Sequence, residues 1–219
     1  MALRRLPHAA ITDLGPLDAD AVAAILGVSR ETRAKLETYI ELLRAWQARL
    51  NLVGPSTLGD PWRRHVLDCG QLWRWWPPGA RRLVDLGSGA GLPGLVLAIL
   101  GAPEVHLVES DRRKATFLRA AARACAVRVT VHARRAETLR GLAAEVIVAR
   151  ALAPIDRLLA LAEPVAAAGT VFLLLKGRGA AAELTTARRH WMMRAEMHTS
   201  RADPAGRVVI LRDVARAHA

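Results

Sequence analysis

Three glycines stand at alternate positions in Asp85-Leu86-Gly87-Ser88-Gly89-Ala90-Gly91. They follow directly on Leu83-Val84-Asp85-Leu86, a short apolar run that reads as a buried strand. A helix is predicted over residues 93–100, with Pro93 in its first turn. Such a junction is suited to a nucleotide-like ligand. Glycines let the chain turn tightly and let a ligand approach where a Cβ would stand in the way. The first turn of the helix presents N–H groups without intrahelical partners. Asp85, at the strand's end, can help hold a cationic or hydrogen-bond-donating ligand. Glu109 ends the next predicted strand, 22 residues after Gly87. A carboxylate there can accept both hydroxyls of a ribose.

Two ligands fit these residues. Gly89, Gly91 and Gly94 match the G-x-G-x-x-G spacing of a dinucleotide loop, a weak signal alone. Read from Gly87, the spacing is G-x-G-x-G, which suits S-adenosyl-L-methionine. An acid immediately before the glycines is unfavourable beside a pyrophosphate and harmless beside a sulfonium. Ala136-Glu137 follows the third predicted strand, where an adenine edge would lie. The methyl donor is therefore the preferred ligand, and a nicotinamide-dependent oxidoreductase is the alternative.

The elements that must position these residues fall into two parts. Residues 1–78 read as a helical extension. A short helix is expected over 17–26, then a longer one capped by Ser29, with Leu36, Tyr39, Ile40, Leu43, Trp46 and Leu50 at three- and four-residue steps. A third is expected from Pro61 to Trp76, ended by Pro77-Pro78-Gly79. Residues 79–219 alternate strands and helices. Strands are predicted at 83–86, 105–108, 127–131, 146–148, 170–175 and 208–211, and helices at 93–100, 112–125, 155–165 and 180–193. That alternation implies a parallel sheet covered on both faces, with ligands at the carboxyl ends of its strands.

The chain has 219 residues, 52% hydrophobic, enough for one sizeable core. Its longest apolar run, residues 92–100, is nine residues with a proline, against the about 20 that span a bilayer. Residues 1–10 carry two arginines with no apolar stretch behind them, so neither a signal peptide nor a membrane partner is expected. Cys69 and Cys125 have no metal-binding spacing, no metal ligand set is read, and both thiols are expected to be buried and free in a reducing cytoplasm. The net charge is +12, of which residues 79–219 hold +10. Base concentrated around the glycine motif suggests a polyanionic partner such as nucleic acid. With 29 arginines against 3 lysines in an alanine-rich chain, genome composition is the competing explanation.

Several segments, in order, resemble one family. Asp85-Leu-Gly-Ser-Gly-Ala-Gly-Leu-Pro-Gly94 resembles the D-[LV]-G-[ST]-G-x-G-[FL]-P-G signature of the small-subunit ribosomal RNA methyltransferase G family. Asn51-Leu52 with Arg64-His65-Val66-Leu67-Asp68, Glu109-Ser110 with Arg113-Lys114 and Phe117-Leu118, Val148-Ala149-Arg150-Ala151, and Leu175-Lys176-Gly177 resemble its other motifs. The resemblance implies a class I S-adenosylmethionine-dependent methyltransferase: an α/β, Rossmann-like, mostly parallel seven-stranded sheet with helices on both faces and an N-terminal helical extension. It implies methylation of guanine N7 in the 530 loop of 16S ribosomal RNA, naked or within the 30S subunit or an assembly intermediate. A cytoplasmic monomer is expected. Cofactor contacts are implied at Gly87, Leu92, Ala136, Glu137 and Arg150, beside Asp85, Gly89 and Glu109. Here Glu109, Cys69 and Arg113 replace the family's commoner Asp, Ser and Lys.

N7 carries a lone pair and no proton, so no general base is required and no catalytic residue is assigned. RNA contacts are expected at Arg64, His65, Arg113, Arg135 and Lys176, with Arg134 beside them. His65 and Asp68 also have a simpler reading, as hydrogen-bonded groups holding a helix to the sheet. Trp73, Trp75 and Trp76 are expected to pack between extension and sheet, and His106, Phe117, Met192 and Met193 to serve packing.

Overall fold

The computed structural model describes residues 15–217; the predicted leader-free terminus at 1–10 lies outside them. Helix α1 (Ala19–Leu26) opens on Asp18, whose side chain accepts from Ala21 N. Helix α2 (Arg30–Gln47) opens on Ser29, which accepts from Thr32 N as expected. The third predicted helix is a composite. It is a π-helical turn (Trp62–Leu67), a short α-helix α3 (Asp68–Gly70) and a 3-10 stretch (Gln71–Trp75).

The sheet has seven strands: β1 (Arg82–Leu86), β2 (Glu104–Val108), β3 (Thr130–His132), β4 (Ala144–Arg150), β5 (Ala166–Lys176), β6 (Trp191–Thr199) and β7 (Arg207–Arg216). Their order is β3-β2-β1-β4-β5-β7-β6. The first five run parallel, and β7 pairs antiparallel with both β5 and β6. Helices α4 (Gly94–Leu100), α5 (Arg112–Ala124), α6 (Ile155–Ala162) and α7 (Ala180–Ala187) complete the fold. This is the mostly parallel seven-stranded arrangement that the resemblance implies.

Side-chain alternation divides the sheet's two faces cleanly. Leu83, Leu107, Val146, Val148, Leu173 and Ile210 face a core shared with Leu36, Tyr39, Leu43, Val66, Leu67 and Leu72 of the extension. Val84, Leu86, Ile147, Phe172 and Leu174 face a second core with Leu158 and Leu159 of α6 and Leu184 of α7. Phe117 is fully buried, and Trp46 of α2 meets it edge-on at 5.6 Å. Such aromatic pairs add about 0.5–1.5 kcal/mol beyond their buried area. Trp73, Trp75 and Trp76 pack against the first core, as expected, and Trp73 stacks on Trp76 at 5.1 Å. Both cysteines are buried free thiols, and burial pushes the thiol of each up.

One element departs from expectation. The predicted helix over 180–193 stops at Ala187, and residues 191–199 form β6. Met192 is therefore an exposed strand residue rather than a packing one, although Met193 does pack against the second core. The sequence of β6, Trp-Met-Met-Arg-Ala-Glu-Met-His-Thr, favours a helix on propensity. Pairing with β7 along its length overrides that preference. Smaller differences are boundaries: β3 lies at 130–132 instead of 127–131, and α6 ends at Ala162. His106 is half-buried, stacked on His132 and hydrogen-bonded to it at 2.9 Å.

Within the extension, α3 meets α1 tightly at Gly70, where a Cβ would stand 2.7 Å from Leu26 Cδ1. Gly70→Ala is expected to cost about 1–3 kcal/mol in urea unfolding, the usual penalty for overpacking. Adding Leu26→Ala should return part of that loss. Equal stability of Gly70→Ala and wild type would show that the contact yields freely.

Candidate functional site

The chain moves outward from β1 to β2 and β3, then returns to place β4 on β1's other side. That reversal opens a crevice beyond the carboxyl ends of β1 and β4. A cleft of about 870 Å³ occupies it. Its walls are the glycine loop, the segment after β4 (residues 151–154), the end of β5, and residues 52–54 with Thr57 of the extension. Ala202, Asp203, Ala205 and Gly206 of the β6–β7 turn close the side.

The glycine loop spends its donors on the protein. Gly87 N and Ser88 N donate to Val108 O, and Gly91 N and Leu92 N to Ser88 O. Gly89 N donates to Glu109 Oε2 at 2.9 Å, and Gly94 N to Asp85 Oδ2 at 3.0 Å. A pyrophosphate site needs those N–H groups free at the helix start. Of the N–H groups from Gly87 to Gly94, this loop leaves only that of Ala90 without an acceptor. What it offers is room and acidity. Gly89 has φ 54°, and a Cβ there would meet nothing nearer than 3.9 Å. A side chain would thus fill the cradle without touching the fold. Gly94 is required for packing: its Cβ would lie 2.6 Å from Asp85 Cβ. The Leu92–Pro93 peptide is cis.

Asp85 is fully buried behind the loop and does not line the cleft. Burial pushes its carboxyl up to about 7, against the pull of the Gly94 hydrogen bond. Its Oδ1 is buried with no hydrogen-bond partner. The expected ligand contact is thus corrected to support of the loop, with one unpartnered oxygen close behind it. Glu109, half-buried, braces Gly89 and also accepts from Asp111 N at 2.7 Å. An acid at the loop, Glu109, and an open glycine, Gly89, fit a ligand with an amine and ribose hydroxyls.

Arg150 ends β4 and joins extension to sheet. Its Nη1 donates to Arg64 O at 3.0 Å, and its guanidinium approaches His65 Nδ1 at 3.4 Å and Asp68 Oδ2 at 3.6 Å. Arginine can only donate. His65 Nδ1 therefore accepts, so Nε2 carries the hydrogen and donates to Thr57 Oγ1 at 3.0 Å. Thr57 in turn donates to Gly54 O at 2.6 Å. Burial, then the charges of Arg150 and Arg64, push the His65 imidazole down to about 3. His65 is a neutral relay that ties Arg150 to the 54–57 turn, 2% exposed. His65 lines the cleft, and its bonds are those of a group that holds the extension to the sheet.

Lys176 also lines the cleft. Its side chain is 7% exposed and its ammonium pairs with Glu183 at 2.8 Å and donates to Ala153 O. Glu183 accepts from Ile155 N. Lys176 thus anchors the loop after β4. In that loop Ala151 holds φ 52°, and Leu152 lies against Gly87 while staying 37% exposed to the cleft.

Arg64 stands on the rim, exposed and paired with Asp203 at 2.8 Å. Gly87, Gly89, Leu92 and Arg150 line the cleft as expected. Ala136 and Glu137 sit on a 3-10 turn (Ala136–Thr138) just past β3, outside the cleft wall. Arg113 and Arg135 are exposed, also outside it. Sequence reasoning missed three supports. Tyr39, from α2, donates to Ala90 O of the glycine loop at 2.9 Å. Gln71 and Ser200 bridge Asp68 to the β6–β7 turn. Tyr39, the chain's single tyrosine, was visible only as a helix-face residue.

Two outcomes follow from this geometry. Arg150→Ala leaves Asp68 without its cation and the 54–57 turn without its tie, so S-adenosylmethionine binding should weaken at least tenfold by calorimetry. Unchanged affinity would remove Arg150 from the site. The second concerns pH. His65 binds a proton when unfolded below about 6.5 and when folded only near 3. Its contribution is complete above about pH 6.5 and is lost as pH falls toward 3. Asp85, protonated in the fold up to about 7, acts oppositely: its contribution is lost as pH rises through 7. His65→Asn removes only the first effect. The wild-type-minus-variant unfolding free energy should therefore fall with acidification by up to about 1.4 kcal/mol per pH unit between 6.5 and 4. A pH-independent difference would contradict the buried neutral imidazole.

Comparison with known proteins agrees with this architecture. The chain is 56% identical over 193 residues to the ribosomal RNA small subunit methyltransferase G of Paramagnetospirillum magneticum, covering 88% of this chain and 94% of that one. It is 50% identical to its counterpart from Rhodospirillum rubrum, covering 90% and 98%. Among solved structures, a SAM-dependent methyltransferase from Aquifex aeolicus aligns with a TM-score of 0.55 at 13% identity, over 72% of this chain and 95% of that one. A T. thermophilus 16S rRNA N2 methyltransferase in complex with AdoMet and guanosine aligns at 0.51 and 18% identity, over 66% and 38%. The sequence profile of the rRNA small subunit methyltransferase G family matches residues 32–205, and the chain belongs to that family.

Proposed function

We propose that this chain transfers the methyl group of S-adenosyl-L-methionine to N7 of one guanine in the 530 loop of 16S ribosomal RNA. The observation that carries the reading is a roomy cleft whose carboxylates, imidazole and lysine are all committed to the protein. His65 is neutral and doubly hydrogen-bonded, Asp68 faces Arg150 and Ser200, and Lys176 is paired with Glu183. None is free to remove a proton. Attack by N7 needs none, because its lone pair carries no hydrogen.

The cofactor, when bound, supplies a methyl carbon made electrophilic by the sulfonium. Gly87, Gly89 and Leu92 would hold it at the loop, Glu109 at the ribose, and Ala136 and Glu137 at the adenine. Arg150 orients the wall formed by residues 54–57. The chain's contribution is alignment, which in well-oriented cases is worth about 7–11 kcal/mol. Arg64, Arg113 and Arg135 are exposed and suited to phosphates. Guanine N7 is poorly accessible in paired RNA, which favours a loop as target.

In this reading residues 79–219 form the catalytic unit and residues 1–78 its helical extension. The protein acts as a cytoplasmic monomer on the 30S subunit or an assembly intermediate. Among the described residues, no helix is long and apolar enough to cross a membrane. An oxidoreductase is disfavoured by the loop's occupied N–H groups.

The test is methyl transfer to 30S subunits from a strain lacking this protein, with the modified base mapped by mass spectrometry. N7-methylguanine in the 530 loop is expected, and methylation elsewhere or of small molecules only would replace the reading. With both substrates saturating, any step in transfer-limited kcat between about pH 6 and 8.5 should trace to Asp85, whose buried carboxyl is pushed up to about 7, and vanish in Asp85→Asn. A step that survives in that variant would reveal a base.

A further inference from the structure

Outside the cleft, the end of α2 and the start of α5 enclose a groove of about 600 Å³. That volume lies within the roughly 300–1,000 Å³ of small-ligand sites. Its lining is Ala45, Trp46, Arg49, Leu50, Arg113 and Thr116. The Trp46 indole is half-buried, set edge-on against Phe117, and faces the groove from the floor. Arg49 and Arg113 are exposed on its walls. Neither guanidinium forms an ion pair or hydrogen bond among the described residues. The nearby acids are turned away or spent. Asp111 accepts from Arg113 N and Lys114 N, capping α5. Glu37 pairs with Arg33, and Glu41 does not line the groove.

We propose that this groove is a second RNA subsite, which takes one unpaired nucleotide of the substrate with its base on Trp46 and its flanking phosphates on Arg49 and Arg113. This rests on the proposed function, which supplies an RNA substrate. An apolar aromatic floor between two unpaired guanidiniums is the pattern that single-stranded nucleic acid fits, stacked base and phosphates together. Position supports it as well. Helix α5 begins just past Glu109, at the carboxyl edge of β2, and α2 leads through Leu50 into residues 52–54 of the cleft wall. The groove therefore lies along the same edge of the sheet as the cleft. An RNA presenting its guanine to the cleft would meet it with a neighbouring nucleotide.

The experiment uses the full chain, 30S subunits lacking the methyl group, and steady-state kinetics at several salt concentrations. In Arg49→Glu/Arg113→Glu, KM for the subunits should rise about tenfold or more, with S-adenosylmethionine affinity unchanged. The salt dependence of kcat/KM should lose about 1.4–1.8 in its logarithmic slope, the share of two phosphates. Trp46→Leu should raise KM similarly, and Trp46→Phe should restore it, keeping an aromatic face for the base. Unchanged KM and slope in the double variant would overturn the subsite. A loss in the double variant with wild-type KM in Trp46→Leu would overturn the stacked base. If the wild type transfers no methyl group to the subunits, the proposed function fails. Binding of a fluorescent oligouridylate to wild type and double variant then still decides the groove: equal affinity would sink it.

Discussion

The hydrogen bond from Gly94 N to the buried Asp85 carboxylate, 3.0 Å long, sets the start of α4 against the end of β1. It also explains why residue 94 is glycine, since a Cβ there would collide with that carboxylate. With Gly87, Ser88 and Gly89 donating into β2 and Glu109, the loop between becomes a rigid rim. A loop held by its own N–H groups cannot use them for a phosphate. It can still present open space and negative charge. The preference for a sulfonium cofactor over a dinucleotide rests on this use of backbone donors more than on the glycine spacing.

A second tie makes the cleft a joint product of both parts of the chain. Because arginine only donates, Arg150 imposes the tautomer of His65, and His65 then holds Thr57. The same guanidinium faces Asp68, which reaches Ser200 in the β6–β7 turn. Tyr39 adds a contact from α2 to Ala90. The helical extension is thus part of the site's frame, and its residues bury themselves in the same core as one face of the sheet. Most charge in the cleft is paired, and exposed arginines such as Arg49, Arg113, Arg135 and Arg178 stand free to meet a polyanion.

This arrangement matches the chemistry proposed. A reaction that needs no proton removed gains from a cleft where no side chain is free to take one. Rigid groups around the reacting atoms supply alignment, and the loop after β4, anchored by Lys176 and Glu183, holds Leu152 over Gly87. Ala151, at φ 52°, is held between Arg150, which donates to Arg64 O, and Ala153, whose carbonyl Lys176 holds.

Much of this was legible in the residues themselves. Glycine spacing, strand alternation and the capping residues Ser29 and Pro93 are local signals, and each describes the element in which it stands. They located β1, the loop, α4, α5 and the acids at Glu109 and Glu137. Charge type alone could not say which bases face outward. Lys176 and His65 look like RNA contacts in the sequence, and only folding brings Glu183 to one and Arg150 to the other. Strand β6 was hidden for a related reason: its residues prefer helix, and pairing with β7 decides otherwise. The sequence by itself determined the sheet's core, the glycine loop and the family. The tertiary structure alone decided which polar groups are spent within the protein, because partners more than a hundred residues apart, such as Asp68 and Ser200, leave no local trace.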